Sequence, residues 1–344
     1  MKNVLLVKKW VGEGFPCYTV AEIGGLFKNF EEAKRLINNA IEIGVDAVKF
    51  QTLEAETITS KKNYFDMEVT GKVSQYDFFR KFEPSKDLQV QVVKYANKCE
   101  IPIFSAPSHM KDLELMKKIE LPIYKIGSDL ACHIPLLKEV AKLGKPIILS
   151  TGMCTIQEVR DSVEAILSVG NDQLILMHCV SDYPAKVGEA NLNAIYTMKR
   201  EFNLPVGFSD HTEGSLVIQA AAIMGANIIE KHFRDIRNSP SPDDLHSLTK
   251  EEFGKLIRSI RDIEKAKGDG NKIPTFSESR NLLTNRVSMI AAMDIVAGSV
   301  VTDEMIDIKR PGTGIQPIHY SKVIGRKAKV NISSDDPITW EMLS

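Results

Sequence analysis

Residues 122–152 read PIYKIGSDLACHIPLLKEVAKLGKPIILSTG. Two apolar runs, PIYKI and PIILS, each close on a small polar set: Lys125 and Ser128 for the first, Ser150 and Thr151 for the second. Between them IPLLKEVAKLG carries apolar residues at helical spacing. Strand, helix and strand with short connections make a βαβ unit of a parallel sheet. The strands read as runs rather than as alternation because both of their faces are buried.

The same rhythm extends in both directions. Toward the N-terminus lie TVAEI (Glu22), DAVKFQ (Lys49, Gln51) and PIFSAP (Ser105). Toward the C-terminus lie LILMHCVSDY (His178, Ser181), PVGFSDH (Ser209, His211) and IIEKH (Glu230, His232). Helical stretches such as FEEAKRLINNAIEIG, with Gly44 as its expected C-cap, and SKDLQVQVVKYANKC, with Ser85 as its expected N-cap, separate the runs. Eight such units predict a (β/α)8 TIM barrel over residues 1–266, whose chemistry sits at the C-terminal strand ends. An open doubly wound sheet is the alternative. Its first turn would carry a Gly-rich nucleotide fingerprint, and AEIGGLFKNF lacks the GxGxxG spacing.

Two segments break the rhythm. Residues 52–84 form an insertion rich in aromatics (Tyr64, Phe65, Tyr76, Phe78, Phe79), read either as a substrate-site wall or as surface decoration. Residues 267–285 are polar and contain Gly and Pro, as in a linker. Residues 286–344 follow with short β-prone runs and turn signals, which predicts a small β-rich module.

The net charge of −1 offers no basic field for nucleic acid or an anionic membrane. An anionic substrate must therefore be met by locally placed cations and N–H groups. No apolar stretch approaches the ~20 residues of a membrane span, and MKNVLLVKKW is too short in its apolar run for a secretory signal. Cys17, Cys99, Cys132, Cys154 and Cys179 are scattered and lack metal spacing, as expected of reduced cytoplasmic thiols.

His211 and His232 end the seventh and eighth barrel strands, which brings their side chains within reach of one divalent metal; hydrogen-bonded site histidines are the plain alternative. Lys49 and Lys125 end buried strands and need partners. Either Glu22 and Glu230 pair with them, or they bind an anion together with the hydroxyls of Ser128, Ser150, Thr151, Ser181 and Ser209. A purely internal ion-pair network is the plain alternative, and a Schiff-base lysine the competing chemical role. His178, Tyr183, Asp210, Asp243, Asp244 and His246 are secondary candidates. In RPGTGI, Arg310 joins a cation to a Gly-rich turn.

At AEIG, DAVKFQ, KIGSD, LSTGM, HCVSDYP, GFSDHT, EKHF and RPGTGI the chain resembles the sialic acid synthase family, makers of N-acetylneuraminate and related nonulosonic acids. The resemblance spans nearly the whole chain in order, and its C-terminal module is similar to the family's antifreeze-like (SAF, β-clip) domain. It implies condensation of phosphoenolpyruvate with the open-chain aldehyde of an N-acetylated amino sugar, releasing phosphate. It further implies that His211 and His232 hold a divalent metal, manganese before magnesium or cobalt. Lys49, Lys125, Ser128, Ser150, Ser181 and Ser209 would bind phosphoenolpyruvate, and Glu22 would orient the attacking water. Gln51, Tyr183, Glu230 and Asp243 or Asp244 would contact substrate. Arg310 would reach the N-acetyl group in the neighbouring subunit of a domain-swapped homodimer.

Three stretches depart from the family's pattern: Gly24-Gly25-Leu26-Phe27-Lys28-Asn29, Ala106-Pro107 and the segment after His232. N-acetylmannosamine and diacetamido-trideoxyhexoses are the candidate sugars. A sugar 6-phosphate is disfavoured because Arg234 and Arg237 are the sole extra cations near the site. A Schiff-base aldolase of such keto acids and a non-catalytic sugar-binding barrel are the competing readings.

Overall fold

The computed structural model describes residues 2–67, 71–235 and 243–344. Arg237 and the rest of residues 236–242, in the loop after His232, lie outside them. The chain divides into two compact units, residues 1–268 and 269–344.

The first unit opens with an antiparallel hairpin, β1 (Val4–Leu6) and β2 (Lys9–Val11). Barrel strands β3 (Tyr18–Glu22) and β4 (Ala47–Thr52) come next. The insertion then forms a second hairpin, β5 (Tyr64–Met67) and β6 (Gly71–Ser74), and the helix Gln75–Phe82. Phe65 meets Phe78 edge-on at 5.2 Å between ring centroids, and Phe79 packs against both, so the phenylalanines of this segment pack on one another. The barrel continues through β7 (Ile103–Pro107), β8 (Tyr124–Ile126), β9 (Ile147–Ser150), β10 (Leu174–Cys179), β11 (Val206–Asp210) and β12 (Ile228–His232). All eight strands are parallel and β12 pairs with β3, closing the barrel.

Helices cover the outside, as the apolar spacing requires. Phe30–Ile43 starts where the Asn29 side chain accepts from the Glu32 N–H and ends on Gly44 in the left-handed region, at φ 79°. Ser85 caps Lys86–Lys98 by accepting from the Leu88 N–H. Lys250–Lys267 begins with a reciprocal capping box between Thr249 and Glu252.

Two apolar clusters result. The larger lies between strands and helices. The smaller fills the barrel with Val20, Ala47, Ile123, Ile148 and Ile228, and Val4, Leu6 and Val11 of the N-terminal hairpin close it from below. Side chains alternate along a strand, so the next inward position lies two residues on. Those positions are Glu22, Lys49, Lys125, Ser150 and Glu230. An apolar layer thus supports a polar one at the C-terminal mouth. Gly207 belongs to the lower layer, where a Cβ would stand 2.2 Å from the Ile228 side chain.

In the second unit β13 (Ser288–Ala291) pairs antiparallel with β14 (Ile306–Lys309), and isolated bridges such as Ile295–Ile332 and Val300–Lys327 fold the remaining chain onto them. Its own core includes Met289, Val301, Val323 and Ile338. The segment 269–285 clusters with this unit and carries the helix Ser279–Thr284. The Gly312 N–H donates to the Leu283 carbonyl at 2.8 Å. A Cβ on Gly312 would lie 2.4 Å from the Leu282 carbonyl, so the RPGTGI turn needs glycine there.

Candidate active site

Strand register assembles the mouth. Glu22 lies opposite Lys49 on one side and His232 on the other, and Ser209 lies opposite Glu230. Lys49 forms an ion pair with Glu22 and approaches Glu230 Oε1 at 3.3 Å. Lys125 reaches the same oxygen at 3.3 Å, and Ser209 Oγ donates to it at 3.2 Å. All four charged groups are buried. Two ammoniums balance two carboxylates, the condition under which buried charge is tolerable. The predicted lysine partners are therefore both present. Glu230 Oε2 has no hydrogen-bond partner among the described residues, which leaves a buried acceptor.

Electrostatics separates the two acids. Burial opposes ionisation of Glu230, but Lys125 and Lys49 outweigh it and bring its carboxyl to about 2. Burial raises the Glu22 carboxyl despite the Lys49 charge, with the Glu230 charge adding to the rise. Burial lowers the Lys125 ammonium, partly offset by Glu230.

Beside this cluster lies a hydroxyl-lined cradle. The Gly152 N–H donates to Ser128 Oγ at 3.0 Å, and Ser128 Oγ lies 3.2 Å from Cys179 Sγ. A Cβ on Gly152 would come within 2.3 Å of Ser181 Oγ and 2.9 Å of Ser128 Oγ. The absent side chain is what lets the two hydroxyls converge on this backbone. Ser150 is buried at the end of β9. Gly152 and Cys179 were not singled out from the sequence, although Gly152 completes LSTG.

The imidazoles gather on the opposite arc. His211 Nδ1 donates to the Val180 carbonyl at 2.8 Å, so Nε2 carries the free lone pair. Burial lowers this ring to about 3 and lowers His232 well below its ordinary value, keeping both neutral. Their ring centroids are 5.6 Å apart. Tyr183 stacks at 4.3 Å from His211. Two further groups join them. His246 lies 4.6 Å from His232 between centroids, and Asp243 places carboxylate oxygens 3.5 Å from His232 Nδ1 and 3.4 Å from His246 Nε2. Potential ligand atoms of His232, Asp243 and His246 all lie within 4.8 Å of one another. Imidazole nitrogens and one carboxylate fit a divalent transition metal; of the expected donor pair, His232 falls within this set and His211 does not.

The remaining residues divide. Gln51 flanks Glu22, its Cγ 2.8 Å from where a Gly24 Cβ would stand. Glycine in the altered first loop therefore makes room for both side chains. Asp243 turns to the imidazoles, while Asp244 pairs with Arg234. Asp210 accepts from Thr212 and from Lys231 at 2.7 Å, and His178 Nε2 donates to the Ala190 carbonyl at 2.8 Å, which leaves neither at the mouth. Arg310 is exposed at the end of β14.

Residues 36–272 match the model of the NeuB family. The chain belongs to the NeuB family. Residues 286–344 match the SAF domain. The NeuB-family relatives include the N,N'-diacetyllegionaminic acid synthase of Legionella pneumophila, 36% identical over 96% of this chain and 95% of that protein. The pseudaminic acid synthase of Helicobacter pylori is 31% identical over 89% of this chain and 92% of that protein. Among solved structures, the N-acetylneuraminic acid synthetase of Leptospira borgpetersenii superposes with a TM-score of 0.74 at 29% identity, covering 82% of this chain and 95% of that one. This NeuB-family chain is thus an enzyme of the nonulosonic acid synthases, as its sequence motifs implied.

Proposed function

We propose that the enzyme condenses phosphoenolpyruvate with an N-acetylated amino sugar, forming a nine-carbon 2-keto acid and releasing phosphate. The observation that carries this reading is the meeting, at one barrel mouth, of a lysine–serine cluster with a group of neutral imidazoles. The first suits a phosphorylated carboxylate. The second suits a metal-assisted carbonyl.

Lys49, Lys125, Ser128, Ser150, Ser181 and Ser209 hold the enol phosphate, with the Gly152 N–H fixing the Ser128 hydroxyl. The methylene carbon forms the new bond to the sugar carbonyl carbon, water adds at C2, and the C–O bond to phosphate breaks. A divalent metal bound by His211 and His232, manganese in the first instance, supplies a Lewis acid for the sugar carbonyl. Glu22, raised by burial, takes a proton from the attacking water. Glu230 offers its unpartnered oxygen to a substrate hydroxyl. Gln51, Tyr183 and Asp243 line the sugar side, and Asp244 acts through Arg234. Arg310 holds the N-acetyl group across a domain-swapped homodimer. The relatives' names support a diacetamido-trideoxyhexose as the sugar before N-acetylmannosamine. No described helix is long and apolar enough to cross a membrane, and the cysteines are unpaired, which supports work in the cytoplasm.

Mass analysis of the product from phosphoenolpyruvate and a panel of amino sugars, with phosphate release followed in parallel, tests the reading. Phosphate release that needs no sugar, or needs no metal, overturns it. Lys125, lowered by burial, is the observation favouring a Schiff-base route. A borohydride-trapped substrate adduct on that lysine would support that route instead.

A further inference from the structure

His246 is fully buried, yet neither ring nitrogen has a hydrogen-bond partner among the described residues. Buried polar groups are almost always satisfied, because an unpaired one pays its full desolvation cost. This ring is also held firmly. The Leu248 N–H donates to the His232 carbonyl at 2.9 Å and the Arg234 N–H to the Leu248 carbonyl at 3.0 Å, which staples the loop to the end of β12. Inside that loop the Ser247 N–H donates to the Asp243 carbonyl at 3.1 Å. Arg234 binds both the backbone and the carboxylate of Asp244. The chain fixes an imidazole with no hydrogen-bond partner among the described residues beside His232 and Asp243.

The spacing has a chemical reading. Two donors about 2.1 Å from one ion at a tetrahedral angle stand about 3.4 Å apart. The His246 Nε2 to Asp243 Oδ1 distance is 3.4 Å and the His232 Nδ1 to Asp243 Oδ2 distance is 3.5 Å, so each imidazole meets its own oxygen of the carboxylate at that spacing. His211 lies farther off, its centroid 5.9 Å from that of His246.

We propose that His246 is a metal ligand of this enzyme, acting through Nε2 with His232 and Asp243 and joining the His211 already assigned to the ion, so that three imidazoles rather than two surround it. The inference rests on the metal-dependent reading above and deepens it by naming the ligand set. A third nitrogen donor moves the site toward borderline metals, so selectivity for cobalt and zinc over magnesium widens.

The test needs no substrate. The full chain, stripped of metal, is titrated calorimetrically with cobalt(II) and with manganese(II), alongside His246→Gln and His246→Phe. The expected result is a loss of cobalt affinity of about 100-fold or more in both variants, at or above the upper end of what outer-sphere changes produce. Manganese affinity should fall less. Pulsed electron paramagnetic resonance of the manganese-loaded wild type, with 15N-histidine labelling, counts the coordinated imidazoles without any variant. Three are expected. Two imidazoles, or cobalt affinity within about threefold of wild type in folded variants, overturns the proposal. If three imidazoles are counted but no keto acid is made from any sugar, the functional reading fails and the ligand assignment stands. If the keto acid is made and two imidazoles are counted, the reverse holds.

Discussion

Glu22 and Lys49 lie directly across from each other on β3 and β4 and form an ion pair fully enclosed by the barrel. Removing one partner strands the other's charge in a low-dielectric interior. Lys49→Met is therefore expected to lower unfolding stability by about 3–5 kcal/mol. The double variant Lys49→Met with Glu22→Gln should recover part of that loss. Denaturant unfolding of the wild type, Lys49→Met, Glu22→Gln and the double variant checks this. A double variant no more stable than the single one would mean that the pair is not the unit holding the charge.

His211→Ala removes one neutral nitrogen whose tautomer the Val180 carbonyl sets. Loss of a Lewis-acid contact worth several kcal/mol corresponds to about a thousandfold in kcat/KM. Phosphate-release kinetics at saturating metal should record that fall while the thermal midpoint stays near wild type. Activity within tenfold of wild type would exclude this ring from the metal's contacts.

Gly152→Ala drives a methyl into the space between Ser181 and Ser128. The expected effect falls on phosphoenolpyruvate: its KM should rise at least tenfold, about the worth of one hydrogen bond to a charged group. The KM for the sugar should change little. An equal rise in both constants would place the cradle elsewhere in the reaction.

His178 gives a pH signature away from the chemistry. Burial holds its ring below its ordinary value, against the bond to Ala190. The unfolded chain protonates this ring near pH 6.5, whereas the folded chain keeps it neutral, so acid favours unfolding. The contribution is complete above about pH 6.5 and is lost as the pH falls below it, at up to about 1.4 kcal/mol per pH unit. His178→Gln should flatten the slope of unfolding stability between pH 6.5 and 5. An unchanged slope would refute the assignment.

Much of the site was legible because it is written in strand ends. Lys49, Lys125, Ser150, Ser209, Glu230 and His232 each close an apolar run, and parallel register brings such positions to one rim. The capping signals at Gly44 and Ser85 were equally local. What escaped depended on loops. Asp243 and Asp244 are neighbours of the same type, and Arg234, distant by ten residues, decides which one turns outward from the imidazoles. His246 was a secondary candidate by residue type, but its place at the mouth comes from backbone bonds between Leu248 and β12, which no side-chain pattern announces. Gly152 matters for the room it leaves. The hairpin Val4–Val11 closes the barrel floor through contacts far away in the chain.

The final barrel strand carries opposite chemistry on its two sides. Glu230 and His232 face the mouth, while Lys231 between them is buried behind the wall against Asp210 and the Thr212 carbonyl. Sliding this strand by one position would thrust an ammonium into the cavity and press a carboxylate and an imidazole into hydrocarbon. The segment therefore favours its own alignment during folding, because a misplaced copy is penalised at three consecutive residues.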